Sequence, residues 1–152
     1  MPRLKRSERG ANLVEMAFVA PFLILLLFGI IEFAWLFAQD LTIKHGAREG
    51  ARLAAVTFGA NSDELLEETC SRMNIVTNPA ITVTFNDTIV SPSGSMDPGD
   101  AITVNVSQGF SSLTGIMDWV LAPITNLSST VETRAEQTPA SYWVSSMPFT
   151  CP

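Results

Sequence analysis

The first forty residues carry the longest apolar stretch of the chain. Between Met16 and Ala38 the only charged residue is Glu32, and Leu, Ile and Phe dominate the sequence. A helix of about 23 residues is about 35 Å long, enough to cross a hydrocarbon core of about 30 Å. The pattern therefore predicts one membrane-spanning helix.

Small residues after this span predict that the helix continues beyond the membrane. Gly46, Ala47, Gly50 and Ala51 recur at spacings of three and four, which places them on one narrow face of a helix. Small side chains let another backbone approach closely. We therefore predict one helix over residues 12–57, with these four residues as a helix-packing face.

The rest of the chain predicts a small α+β domain. A second helix over residues 62–74 begins at a Ser/Asn cap and carries acids in its first turns, where the helix dipole favours them. Residues 80–85 and 101–107 alternate apolar and polar positions, as half-buried strands do, and a turn-rich stretch joins them into an antiparallel hairpin.

Residues 124–134 predict a third strand, residues 110–121 a short helix or packed loop, and residues 139–152 an irregular tail. The predicted fold class is thus α+β, with a long N-terminal helix, a short helix and an antiparallel sheet of about three strands. The predicted division is a basic leader at 1–10, the helix at 11–58 and the small domain at 59–152.

Charge predicts orientation and excludes one class of partner. The basic residues before the span are Arg3, Lys5, Arg6 and Arg9, whereas the charges just after it nearly cancel. The positive-inside rule then places the N-terminus in the cytoplasm and the small domain outside, in a single-pass protein of the cytoplasmic membrane. The formal net charge is -6. With a basic leader, the remainder is strongly acidic, which argues against nucleic-acid binding.

Two cysteines, Cys70 and Cys151, lie in the part predicted to be exported. An even number in an oxidising compartment favours a disulfide over two free thiols, because a small domain has a limited core. Such a bond would close a loop of about 80 residues and stabilise the domain by about 4 kcal/mol in the chain-entropy model.

One acid stands at the entrance to the span. Glu15 follows Gly10 and Ala11 at the edge of the apolar run. It is either an acid exposed to lipid headgroups or part of an assembly device. In the second interpretation a cut after Gly10 gives Ala11 a charged amine, and the Glu15 carboxylate meets the amine of a neighbouring subunit. A paired charge is tolerated in lipid far better than a lone one.

Glu32, about 24 Å further along the helix from Met16, has two open interpretations. It reaches the outer headgroups, or it contacts a partner helix during assembly.

A secretory signal peptide is the less favoured interpretation of the whole apolar run. The run is too long for the apolar core of a signal peptide, and no small-x-small cleavage pattern follows it.

No catalytic constellation is present in the sequence. The single histidine, His45, cannot build a histidine metal cluster, and a secreted hydrolase would lack residues to carry its chemistry. We therefore expect no enzyme activity, no metal and no cofactor.

Four parts of the chain form a recognisable pattern: residues 9–11, Glu15, residues 25–33 and residues 47–52. Together they resemble the TadE-like family, the pilin-like or minor-pilin components of tight-adherence (Flp-type) pilus systems. Trp35 and Leu36 depart from the family pattern, in which a glycine and a basic residue are common after the Glu-Phe pair.

The resemblance implies a non-enzymatic minor pilin or pseudopilin that takes part in assembly or priming of the pilus. It implies cleavage by a prepilin peptidase between Gly10 and Ala11 and a role for Glu15 in processing or assembly. The implied partners, besides the lipid bilayer, are the main Flp-type pilin, other minor pilins, the inner-membrane platform and the secretion ATPase. The alternative is a permanently membrane-anchored module that presents an extracytoplasmic binding domain to an envelope complex.

Overall fold

A single long helix organises the molecule. The computed structural model describes residues 8–56, 62–86, 97–116, 118–136 and 146–151. Helix α1 runs unbroken over Glu8–Val56 and passes through Pro21. Its 49 residues span about 74 Å. The predicted long helix is confirmed, and it begins four residues earlier than expected.

The two other helices are short. Helix α2 covers Ser62–Ser71 and is three residues shorter than predicted, because the chain leaves it through turns in which the Met73 amide bonds the Cys70 carbonyl at 2.9 Å. Helix α3, Asp118–Leu121, lies within the stretch for which a short helix or packed loop was predicted. Residues 58–61, between the two helices that the sequence predicts, lie outside the described residues.

Four antiparallel strands form one sheet. They are β1 (Ala80–Asn86), β2 (Ala101–Gly109), β3 (Asn126–Arg134) and β4 (Ser146–Thr150), in the order β3-β2-β1-β4. In the central pair, Val83 lies opposite Val104. The predicted α+β class and the antiparallel hairpin are confirmed, although residues 91–96 of its turn lie outside the described residues.

The fourth strand corrects the prediction of an irregular tail. Strand β4 pairs with β1 from Ala80↔Thr150 to Thr84↔Ser146. It contains Pro148, which has no amide proton to donate and is found in edge strands, the position that β4 occupies. Residues 139–145 and 152 of that tail lie outside the described residues.

The core lies between the sheet and the C-terminal half of α1. Alternate side chains of β1 and β2 are buried, whereas Thr82, Thr84, Thr103 and Asn105 on the opposite face are partly exposed; the buried set is Ile81, Val83, Phe85, Ile102, Val104 and Val106. Strands β2 and β3 pack against α1, which contributes buried Ile43, Ala47, Ala51 and Ala54. The period-two burial is what a sheet with one covered face requires.

The predicted helix-packing face lies in this core. A Cβ added at Gly46 would come within 2.6 Å of Met73 Cγ, and one at Gly50 within 3.2 Å of Thr69. The small residues thus let α2 and its following turn lie directly against α1. The Cys70–Cys151 disulfide then ties the end of α2 to the residue after β4, across a sequence separation of 81 residues.

Candidate functional site

The N-terminal half of α1 extends away from the folded domain. Its most apolar window has a mean hydropathy of 2.5, and none of that window is buried within the described chain. Phe18 and Phe22 are 72% and 76% exposed. Residues 10–31 cover about 33 Å, close to the thickness of a hydrocarbon core. Within the described residues this is the one helix long and apolar enough to cross a membrane, and it fits a single-pass membrane protein.

The residues of the predicted processing site lie on this free half. Gly10 and Ala11 are both exposed positions of α1. A Cβ added at Gly10 would meet no described atom within 4 Å. A larger side chain at residue 10 therefore leaves the contacts of the described domain unchanged, which makes substitution there a clean test of processing.

Glu15 is also exposed, and none of the hydrogen bonds or ion pairs of the described residues involves it. Arg52 pairs with Glu49, and Lys44 with Asp40, all on the C-terminal half of the same helix. The Glu15 carboxylate is thus available to a group outside the described part of the chain.

Glu32 marks the point where α1 meets the domain. Its side chain is fully buried although its neighbours Ile31 and Phe33 are exposed. The Leu113 amide donates to Glu32 Oε1 at 2.8 Å, and the Thr114 amide and hydroxyl donate to Oε2 at 3.2 and 2.8 Å. The carboxylate is therefore held by a loop of its own chain, a partner that the sequence interpretation did not include.

Two further side chains of α1 hold the same loop. The ring nitrogen Nε1 of Trp35 and the amide nitrogen Nε2 of Gln39 both donate to the Ser111 carbonyl, at 3.2 and 3.0 Å. Residues 32, 35 and 39 share one face of a helix because they are spaced by three and four. We call these contacts between Glu32, Trp35 and Gln39 and residues 111–114 the clasp.

The loop turns back directly after the clasp. Gly115 has φ of 71°, in the left-handed region that glycine adopts without strain. Its amide donates to Ser112 Oγ at 2.9 Å. This turn presents the Leu113 and Thr114 amides toward α1, so that two backbone donors converge on one carboxylate.

The sequence interpretation singled out Glu32 but missed Trp35, Gln39 and residues 111–114. Trp35, which departs from the family pattern, has a structural partner in Ser111. No sequence spacing links these groups, because Glu32 and Thr114 are 82 residues apart. Only the path of β2 along α1 brings them together.

Comparison with known protein families gives a match, which covers part of helix α1. Residues 10–52 match the TadE-like protein family. The TadE-like segment thus begins at Gly10, includes Glu15 and Glu32, and ends within the packed half of α1. The family is structural and pilus-associated, and the match indicates involvement with tight-adherence pilus systems and their components. No curated protein and no solved structure matches the chain.

Among the described residues, no group of three or more His, Cys, Asp or Glu side chains is arranged to hold a metal ion. His45 is exposed on α1. The features that distinguish the molecule are a free apolar half-helix that bears Glu15, a domain packed against the other half of α1, and the clasp at Glu32 between them.

Proposed function

We propose that this protein is a minor pilin or pseudopilin that takes part in assembly or priming of a tight-adherence pilus. One observation carries the proposal. The TadE-like match coincides with a helix whose N-terminal half is exposed and apolar and bears Glu15, which has no partner among the described residues, while its C-terminal half is fixed in a domain. A helix of this kind packs against neighbouring copies through its free half and presents the domain outside.

Processing supplies a partner for the Glu15 carboxylate. A prepilin peptidase on the cytoplasmic face cuts between Gly10 and Ala11, and the new Ala11 amine then pairs with Glu15 of a neighbouring subunit. Pairing removes the cost of leaving a lone carboxylate in an apolar bundle. The exposed Glu15 and the unobstructed Gly10 support this order of events.

The proposed function implies where each part of the protein lies in the cell envelope. The basic leader stays in the cytoplasm, the helix crosses the inner membrane, and the domain lies outside, where the Cys70–Cys151 bond persists. The main Flp-type pilin, other minor pilins, the inner-membrane platform and the secretion ATPase are the proposed partners. Residues Gly46, Ala47, Gly50 and Ala51 serve packing within the subunit in this arrangement.

The mature N-terminus tests processing. The full chain is produced with an active or an inactivated prepilin peptidase, and its intact mass is measured. We expect loss of residues 1–10 only with the active enzyme, and no loss in Gly10→Leu. A mature chain that keeps residues 1–10 beside the active peptidase would contradict processing and favour the permanently anchored module.

A second experiment tests assembly. Glu15→Ala is expected to insert normally in the membrane and to lose incorporation into the pilus or support of piliation. Glu15→Asp, which keeps the charge, is the matched control and should retain part of the function. Normal piliation in Glu15→Ala, with wild-type protein levels, would refute the pairing.

A further inference from the structure

The connection between β2 and β3 exposes an unusual amount of apolar side chain. Residues 110–125, which we call the apolar connection, contain one charged residue, Asp118. Trp119 is 75% exposed and Leu113 is 55% exposed, and Ile116 and Val120 of the same connection are exposed as well. Clustered exposed apolar side chains mark a surface that contacts a partner or a membrane.

The apolar connection lies at the end of the sheet nearest the free half of α1. At the opposite end, where Ala101 pairs with Arg134, the Glu136 amide bonds the Ala55 carbonyl of α1. The apolar connection instead bonds Glu32 through Leu113. These two attachment points on α1 are separated by about 35 Å along the helix axis.

The level of Glu32 on α1 lies near the expected outer edge of the membrane. Counted from Met16, where the apolar run begins, Glu32 lies 16 positions along the helix, about 24 Å, and a hydrocarbon core is about 30 Å thick. The residues between are apolar and almost all exposed. The clasp therefore holds the apolar connection close to the level at which α1 leaves the hydrocarbon core. Tryptophan favours this interfacial region, because its ring is apolar and its N–H is polar.

The other end of the sheet has a different character. Asn86 and Ala101 face each other there, and Arg134 lies opposite Ala101 on β3. Arg134 is exposed, and its guanidinium donates to the Gly99 carbonyl at 3.1 Å. The described residues thus place a charged side chain at the end remote from the span and exposed apolar side chains at the end close to it.

We propose that the apolar connection docks onto the surface of the bilayer that α1 spans, with Leu113, Ile116, Trp119 and Val120 in the lipid interface. The domain then has two membrane attachments, the helix and this loop, joined by the clasp. Two attachments fix the rotation of the domain about the helix axis, which one helix alone leaves free. Leaving the bilayer requires the loop to give up its lipid contacts.

Tryptophan fluorescence of the full chain in vesicles of a zwitterionic lipid tests the proposal. The spectrum of Trp119→Phe is subtracted from that of the wild type, and the difference reports Trp119 alone. We expect a blue-shifted difference spectrum that is quenched more by lipids brominated near the headgroup than by lipids brominated deep in the acyl chain. Trp119→Phe keeps an apolar ring at the surface, so that docking and folding persist in the reference.

A matched control places the probe at the far end of the same helix. Val56 is 46% exposed and lies about 36 Å beyond Glu32. Val56→Trp in the Trp119→Phe background should give a difference spectrum typical of indole in water, without quenching by either lipid.

Two results would overturn the proposal. One is a Trp119 difference spectrum typical of water and unquenched by both lipids. The other is a blue shift without quenching that appears only when the ratio of protein to lipid is raised, which would assign the surface to a second copy of the chain. The outcome does not depend on cleavage at Gly10 or on piliation, so that it stands or falls separately from the proposed function.

Discussion

Removing the Glu32 carboxylate is expected to release residues 111–114 from α1. Glu32→Ala takes away the acceptor of three hydrogen bonds and leaves the amides of Leu113 and Thr114 without an acceptor in the described structure. Hydrogen bonds to charged groups contribute about 1.5–3 kcal/mol each, and water at the membrane edge replaces part of this. We expect the free energy of opening this loop to fall by about 2–4 kcal/mol.

Hydrogen exchange at the Leu113 and Thr114 amides in full-length protein in lipid nanodiscs measures that opening. A fall of about 2–4 kcal/mol corresponds to exchange faster by roughly 30- to 700-fold, since each 1.4 kcal/mol is a factor of ten. Fragmentation mass spectrometry resolves the two amides from their neighbours. Amides in the centre of β2, such as that of Val104, should keep their protection.

The hydrogen-bond geometry at Glu32 also predicts how fast the Leu113 and Thr114 amides exchange in two other variants. Glu32→Gln keeps one carbonyl oxygen but replaces the other acceptor with an NH₂ group, which meets the Thr114 amide, itself a donor. In Glu32→Gln the exchange rates of the Leu113 and Thr114 amides should therefore lie between those of the wild type and those of Glu32→Ala. Glu49→Ala is the matched control, because Glu49 forms a surface ion pair with Arg52 on the same helix. Unchanged exchange at both amides in Glu32→Ala, or equal acceleration in Glu49→Ala, would refute the reasoning.

Three further predictions concern the domain and use denaturant unfolding of the full chain in micelles, followed by circular dichroism. Gly46→Ala should lower the free energy of unfolding by about 1–2 kcal/mol, because overpacking against Met73 outweighs the gain in helix propensity. In a Met73→Ala background the same change should instead raise the free energy of unfolding by about 1 kcal/mol. If the effects of the two substitutions simply add, the contact between residues 46 and 73 is contradicted. Cys151→Ser should lower the free energy of unfolding by about 4 kcal/mol, and reduction of the wild type should have the same effect. Equal stability of the reduced and the oxidised wild type would contradict this. Ile43→Ala, at a fully buried position, should lower the free energy of unfolding by about 2–5 kcal/mol. Leu41→Ala, on the exposed face, should lower it by less than about 0.5 kcal/mol. Equal effects of the two substitutions would contradict the assigned helix face.

The regular elements could be predicted because each carries its own periodicity. The apolar run predicts α1 by length, and the alternation in residues 80–85 and 101–107 predicts β1 and β2, which the structure has at Ala80–Asn86 and Ala101–Gly109. Strand β4 has no such alternation and includes Pro148. It forms by pairing with β1, next to the Cys70–Cys151 bond, and pairing partners that are distant in sequence leave no local pattern.

The sequence by itself determined which half of α1 suits lipid, where the acids stand on it, and which strand faces are apolar, because these follow from the order of side chains on a helix or strand of known period. Only the tertiary structure decided what Glu32 contacts. Its burial depends on the sheet packing along α1 and on the turn at Gly115, which together carry residues 111–114 to a carboxylate about 80 positions earlier. Because an unpaired buried charge is costly, an acid in an apolar run either reaches the headgroups or contacts a partner, and the fold decides between these two outcomes.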